Sequence, residues 1–138
     1  VAAADAVFGI PEVKRGLVAG AGGLLRLQHR IPRNIATEFA LTGDFVGARR
    51  MADLGLVNQV VSSGGALEGA KELASRITPN GPLAVRVSKE IMTKADDWST
   101  AEMWDKQNEL AGPVFVSHDA MEGAAAFAEK RTPNWKGE

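Results

Sequence analysis

The pattern of apolar and polar residues is helical along most of the chain. Apolar side chains recur three or four residues apart, which is the spacing of one face of an α-helix. The stretches with this spacing predict helices at 24–31, 35–41, 47–54, 66–77, 82–91, 99–115 and from Ser117 or Asp119 to about Arg131. Residues 132–135 follow as a tail that is predicted to be unstructured.

A smaller part of the chain has the composition of strand and loop. Residues 57–61, Val-Asn-Gln-Val-Val, predict one short strand, whereas the apolar opening at 1–8 fits a strand or a helix equally well. Proline and closely spaced glycines predict a loop at 9–23. The chain is therefore expected to be mostly α-helical with one or two short strands.

Several residues have the chemistry that starts or ends a helix. Asn34 is predicted to cap the second helix and Gly43 to end it, while Gly55 is predicted to end the third. Pro82 suits a first helical position, because an N–H there would have no helical partner. Pro113 is expected to bend the helix that contains it.

The composition argues against several classes of function. The chain has 16 Lys and Arg against 17 Asp and Glu, so no basic excess favours binding to nucleic acid or to an anionic membrane. It has no cysteine, and its two histidines, His29 and His118, are far apart, so we expect no metal site. The lack of cysteine fits the cytoplasm. No apolar run approaches the ~20 residues of a membrane-spanning helix, so no membrane association is expected.

Glu12 is the candidate for chemistry in the predicted loop. The glycines at 16–23 lack the Lys-Ser or Lys-Thr of a phosphate-binding loop and the spacing of the dinucleotide fingerprint. A carboxyl group beside a proline in such a loop is expected to be partly desolvated, which suits acid–base catalysis. The alternative is a solvated loop glutamate, or one paired with Lys14 or Arg15.

Several motifs resemble those of the crotonase superfamily, in the same order along the chain. They are Phe-Gly-Ile-Pro-Glu-Val-Lys-Arg-Gly-Leu at 8–17, Gly-Ala-Gly-Gly at 20–23, Arg-Leu at 26–27, Leu-Thr-Gly at 41–43, Gly-Leu-Val-Asn-Gln-Val-Val at 55–61 and the segment 122–131. The chain departs from many hydratases at Ala19, where they have proline, and at Leu24 and Leu25, where they have Thr-Gln. These leucines either reshape an acyl pocket or belong to the core.

The resemblance implies an α/β crotonase-like fold, a spiral of ββα turns followed by a helical segment. Residues 1–62 are then the last part of the spiral core, with the active-site loop and the helices that follow it. Residues 63–138 are the C-terminal helical segment through which a homotrimer or homohexamer assembles. Trp104 and Phe115 are candidate contacts between the copies.

The resemblance also implies an acyl-CoA thioester enzyme, an enoyl-CoA hydratase that adds water to 2-enoyl-CoA. It needs no cofactor, since coenzyme A is part of the substrate. Glu12 matches the second of two catalytic glutamates, and the first precedes Val1, as do both N–H donors of the oxyanion hole. We therefore expect the chain to be an incomplete C-terminal half that is inactive alone.

The resemblance gives Phe127 and Lys130 a role in binding coenzyme A. In some members of the superfamily, the C-terminal helix presents an aromatic and a basic group to the nucleotide end of a coenzyme A held by a neighbouring subunit. A Lys ammonium suits a phosphate. The alternative is that Phe127 belongs to the core and that Lys130 lies on a solvated face.

Two other functions fit the same residues. One is enoyl-CoA delta isomerisation, in which a single carboxylate moves the proton, or another crotonase-type reaction of a coenzyme A thioester. The other is a non-catalytic helical module that only oligomerises. His29 and His118 are expected to be surface or capping residues, and the tryptophans packing or interface anchors.

Overall fold

The computed structural model describes all of residues 1–138, which form two compact units, Val1–Glu72 and Leu73–Glu138. The first contains β1 (Ala2–Ala3), β2 (Val7–Phe8), a 3₁₀ helix (Pro11–Arg15), α1 (Gly23–Leu27), α2 (Arg33–Thr42), β3 (Val46–Gly47), α3 (Ala48–Asp53), β4 (Val60–Val61) and most of α4 (Ala66–Ser75). The second contains α5 (Pro82–Lys94), a short 3₁₀ helix (Ala95–Asp97), α6 (Met103–Phe115) and α7 (His118–Glu129). None of these helices combines the length and the apolar character that a membrane-spanning segment needs.

The strands form two separate pairs of two residues each. β1 is parallel to β4, with Ala2 opposite Val60, and β2 is antiparallel to β3, with Phe8 opposite Val46. The apolar opening is therefore strand rather than helix. The strand predicted at 57–61 is confirmed in its second half, and Val57 instead lies buried in the core.

The core of the first unit is built from small elements that are marginal alone. Its buried members are Ala2, Phe39, Ala48, Met51 and Val57, and Met51 is only 1% exposed. Helices of six to ten residues are not stable in isolation, so burial of these side chains supplies their stability.

The 3₁₀ helix corrects the prediction of an irregular loop at 9–23. Pro11 occupies its first position, where its fixed φ favours a helical turn, and Gly16 ends it with a φ of 68°. Gly43 ends α2 with a φ of 63°, as predicted. The predicted Asn34 cap is wrong, because α2 already begins at Arg33, directly after Pro32, and has no side-chain cap.

The helix ends of the second unit agree more closely with the sequence. Pro82 is in the first turn of α5, as predicted. Pro113 lies inside α6, and the bend expected there stays a prediction. Ser117 caps α7, since its Oγ accepts a hydrogen bond from the Ala120 N–H at 3.0 Å. Asp119, the other candidate cap, is buried and binds the tail instead.

The tail after α7 has no regular secondary structure, but the prediction that it is unstructured is wrong. Asp119 accepts hydrogen bonds from the backbone N–H groups of Lys136 at 2.7 Å and Gly137 at 3.0 Å. Trp135 donates its Nε1–H to the carbonyl of Pro79 at 2.6 Å. These contacts link residues far apart in sequence, so local pattern could not predict them.

An ion-pair cluster joins α7 to the start of this tail. Arg131 binds both carboxylate oxygens of Glu122, at 2.6 and 3.0 Å, and its Nε binds Glu129 at 2.5 Å. The Asn134 N–H also donates to Glu122, at 2.7 Å. The hydrogen bonds from Arg131, and then that from Asn134, lower the pKa of Glu122 to about 2.

This lowered pKa predicts how stability depends on pH. The stabilisation by Glu122 is complete above its ordinary pKa of 4.5 and is lost as the pH falls towards about 2. We expect the Tm of wild type to be higher than that of Glu122→Gln at neutral pH. The difference between the two Tm values should disappear as the pH falls from 4.5 to about 2. The measurement is thermal unfolding at a series of pH values. Glu109→Gln, which removes a glutamate without an ion pair, is the control, and a Glu122→Gln difference that stays constant with pH would contradict the assignment.

Candidate active site

Glu12 occupies the first turn of the 3₁₀ helix, with a backbone fixed by hydrogen bonds. The Leu17 N–H donates to the Glu12 carbonyl at 3.1 Å, and the Gly16 N–H donates to the Val13 carbonyl at 3.2 Å. The Glu12 carboxylate oxygen Oε2 is shielded from solvent and has no hydrogen-bond partner. Buried polar atoms without partners are uncommon in folded proteins, because desolvation without compensation is costly.

The structure does not support the alternatives for Glu12 that the sequence left open. Lys14 binds Asp44 instead, with its Nζ 2.7 Å from Oδ1, and Arg15 forms no ion pair. A solvated glutamate is also excluded for Oε2, which is buried. The remaining property of Glu12 is an uncommitted carboxylate that can accept or donate a proton.

An apolar cleft of about 150 Å³ has Ile10, two residues before Glu12, in its lining. It runs between α1 and α2 and is lined by Ile10, Leu24, Leu27, Gln28, Ala36, Thr37, Ala40 and Leu41. The glycine-rich segment approaches it closely, because a Cβ on Gly23 would lie 3.6 Å from the Cγ2 of Ile10. The 3₁₀ helix that carries Glu12 therefore begins beside an apolar surface.

The two leucines that depart from the family pattern are both solvent-accessible. Leu24 lines the cleft and is 37% exposed, and Leu25 is 72% exposed. The core interpretation is therefore wrong for Leu25. Leu24 lines the cleft, so the interpretation that it shapes an acyl pocket stays open.

Phe127 and Lys130 belong to the second unit, at the C-terminal end of α7. Phe127 is 88% exposed, which overturns the alternative that it belongs to the core. Lys130 has a φ of 55° and ends the helix in the left-handed region, and its ammonium forms no ion pair. Both side chains are available to a ligand or a partner.

The other candidates have simpler roles. His29 and His118 are exposed, and no three His, Asp or Glu side chains come together as a metal site. Trp104 is 62% exposed, whereas Trp135 is anchored to Pro79.

Asp44 is the residue of this region that the sequence did not identify. It follows the helix stop at Gly43 and binds Lys14 from 30 residues away. The only signal was its position in the loop that follows the Leu-Thr-Gly motif.

Known proteins resemble this chain in both sequence and structure. The profile of the family described as enoyl-CoA hydratase/isomerase matches residues 1–138. Carnitinyl-CoA dehydratase from Proteus mirabilis is 39% identical over 137 residues, which are 96% of this chain and 52% of that protein.

Solved structures give the same result. The enoyl-CoA hydratase from Mycobacterium tuberculosis is 57% identical, with a TM-score of 0.95 over 99% of this chain and 54% of that one. An enoyl-CoA hydratase from Mycobacterium marinum is 55% identical, with a TM-score of 0.96 over the same shares. The chain thus spans about half the length of the relatives it matches, and the matched region is their C-terminal half.

These matches confirm the predicted crotonase-like fold, of which this chain forms a mostly helical segment. The chain therefore belongs to the enoyl-CoA hydratase/isomerase family.

Proposed function

We propose that this chain is the half of an acyl-CoA enzyme that supplies Glu12 to the hydration of 2-enoyl-CoA. The observation that carries the proposal is the Glu12 Oε2, which is shielded from solvent and has no partner within the chain. Relatives named as hydratases and dehydratases support it, because hydration and dehydration are two directions of one reaction.

The reaction adds a hydroxyl group from water to C3 of the enoyl group and a proton to C2. An acid–base group is needed because water must lose a proton as its oxygen attacks, and C2 must gain one. Glu12 is one member of this pair. The partner carboxylate and the N–H donors that bind the thioester oxygen belong to the half that this chain does not contain.

Phe127 and Lys130 are the proposed contacts with the nucleotide end of coenzyme A. Both are exposed at one helix end, and the Lys130 ammonium is not engaged by a carboxylate. Arg131 is less suited to a phosphate, because Glu122 and Glu129 already bind its guanidinium. The contact is made to a coenzyme A bound by a neighbouring copy.

The proposed assembly is a homotrimer or homohexamer. Trp104 and Phe115 are 11 residues apart on α6, which is about three helical turns, so they share one face. They are 62% and 79% exposed. Large apolar side chains that share an exposed helix face are typical of an interface.

We place the enzyme in the cytoplasm, a proposal that rests on the lack of cysteine.

The 138-residue chain alone is expected to show no hydration of 2-enoyl-CoA. Activity is expected in a fused protein in which the preceding half of the Mycobacterium tuberculosis relative is joined to Val1. The measurement is loss of enoyl absorbance with a short 2-enoyl-CoA. Turnover by the 138-residue chain alone would contradict the proposal, and conversion of 3-enoyl-CoA but not of 2-enoyl-CoA would favour the isomerase.

Glu12→Gln tests the acid–base role in the fused protein. The variant keeps the size of the side chain and removes its ionisable proton, so kcat should fall about a hundredfold to ten-thousandfold, or about 3 to 5 kcal/mol. The KM should change much less. Glu38→Gln, at an exposed glutamate of α2, is the control, and a folded Glu12→Gln variant with near-normal kcat would remove Glu12 from the mechanism.

Lys130→Ala tests the contact with coenzyme A. A lost lysine–phosphate contact at an exposed site should raise the KM of the fused protein about threefold to tenfold, at an unchanged kcat. Lys89→Ala, at an exposed lysine of α5, is the control. Equal KM values for the two variants would count against a role for Lys130.

Trp104→Glu combined with Phe115→Glu tests the assembly surface. Charges on this face should lower the mass of the fused protein measured by light scattering at micromolar concentration. Met92→Glu, at an exposed apolar residue of α5, is the control. A monomeric fused protein that binds little hydrophobic dye would contradict the proposed assembly.

A further inference from the structure

The residues directly after α2 contact the 3₁₀ helix on both sides of Glu12. Gly43 is buried, and a Cβ added to it would lie 3.2 Å from the Cα of Pro11 and 3.1 Å from the Cγ2 of Val13. These distances are shorter than ordinary contacts between carbon atoms. The 3₁₀ helix therefore lies so close to Gly43 that an added Cβ would need its neighbours to shift by a few tenths of an ångström.

The next two residues extend this contact in both directions. Asp44 binds the ammonium of Lys14, two residues after Glu12, at 2.7 Å. The Phe45 ring covers Gly9, three residues before Glu12, since a Cβ on Gly9 would lie 2.6 Å from two ring carbons. Beyond Phe45, the antiparallel pairing of β3 with β2 continues the contact.

We propose that Gly43, Asp44 and Phe45 are positioning residues that set the place of the Glu12 carboxylate. Three consecutive residues contact the segment 9–14, and the contacts lie before and after Glu12 rather than at its carboxylate. The backbone is thereby held while Oε2 stays without a partner. This inference rests on the proposed function of Glu12.

The expected effect follows from the small tolerance of proton transfer to displacement. A misplacement of about 1 Å can cost a hundredfold in rate. Pro11 presents backbone rather than a flexible side chain to position 43, so an alanine there needs the 3₁₀ helix itself to move. The movement is a few tenths of an ångström, which is less than 1 Å. A loss of about tenfold in kcat is expected, with KM within about twofold.

Gly55 provides the matched control for this substitution. It follows α3, has a φ of 84°, and has nothing within 4 Å of an added Cβ. Gly43→Ala and Gly55→Ala therefore share the strain of a left-handed alanine, but only the first presses on the 3₁₀ helix. The two variants are compared in the fused protein by kcat, KM and Tm.

The expected result is a fall in kcat for Gly43→Ala alone. In a Glu12→Gln background Gly43→Ala should have no further effect on kcat, because it acts through that carboxylate. Equal kcat values for Gly43→Ala and Gly55→Ala, or additive losses with Glu12→Gln, would overturn the positioning role. A normal kcat for Glu12→Gln itself would instead overturn the proposed function.

If Gly43→Ala does not fold, a second series of variants tests the positioning role through the contact between Asp44 and Lys14. Lys14→Asp should lower kcat, and Lys14→Asp combined with Asp44→Lys should restore it, whereas Lys71→Asp, which breaks the exposed pair with Glu68, should leave it unchanged. Failure of the exchanged pair to restore kcat would overturn the role of Asp44.

A measurement without catalysis tests the contact itself. In ¹H–¹⁵N spectra of the 138-residue chain, Lys14→Met should shift the amide signals of residues 43–45, which lie about 30 residues away in sequence, and Lys71→Met should not. Unchanged signals in that segment would overturn the contact, whatever the activity.

Discussion

A carboxylate oxygen that is shielded from water loses its hydration, and Oε2 of Glu12 receives no hydrogen bond from the protein in exchange. Such an arrangement persists only where the surrounding structure enforces it. Here Pro11 starts the 3₁₀ helix, Gly16 ends it with a left-handed backbone, and Gly43 is in close contact with it. The architecture of the first unit thus holds one carboxylate oxygen in a defined place without a hydrogen-bond partner.

The carboxylates of the second unit show the opposite arrangement. Both oxygens of the buried Asp119 accept backbone N–H groups, and Glu122 is bound by Arg131 and by Asn134. Each of these groups fixes the tail to α7, and the pKa of Glu122 is lowered accordingly. Full pairing is typical of a carboxylate that stabilises structure, whereas the unpaired oxygen of Glu12 supports the acid–base role that we propose for it.

The sequence predicted what depends on local pattern. Helical spacing located the helices, although α1 ends at Leu27 rather than at 31 and α6 begins at Met103 rather than at 99. Gly43, Pro82 and Ser117 act at helix ends because their preferences are properties of the residue itself. The 3₁₀ helix and the ordered tail were missed. They depend on contacts such as Lys14 with Asp44 and Asp119 with Lys136, which join residues distant in sequence. The motif around Glu12 made it the candidate catalytic residue, but only the structure showed that its Oε2 has no partner.

Thermal unfolding of the 138-residue chain carrying Glu12→Met tests whether the Glu12 carboxylate is held in the fold without a stabilising partner. Methionine has a similar shape and no polar oxygen, so the variant should be as stable as wild type or more stable. The paired Asp119 should respond in the opposite way, with a clear loss of Tm in Asp119→Leu. A Tm for Glu12→Met more than about 5 °C below wild type, or about 1 kcal/mol, would show that Glu12 stabilises the fold and would contradict the account.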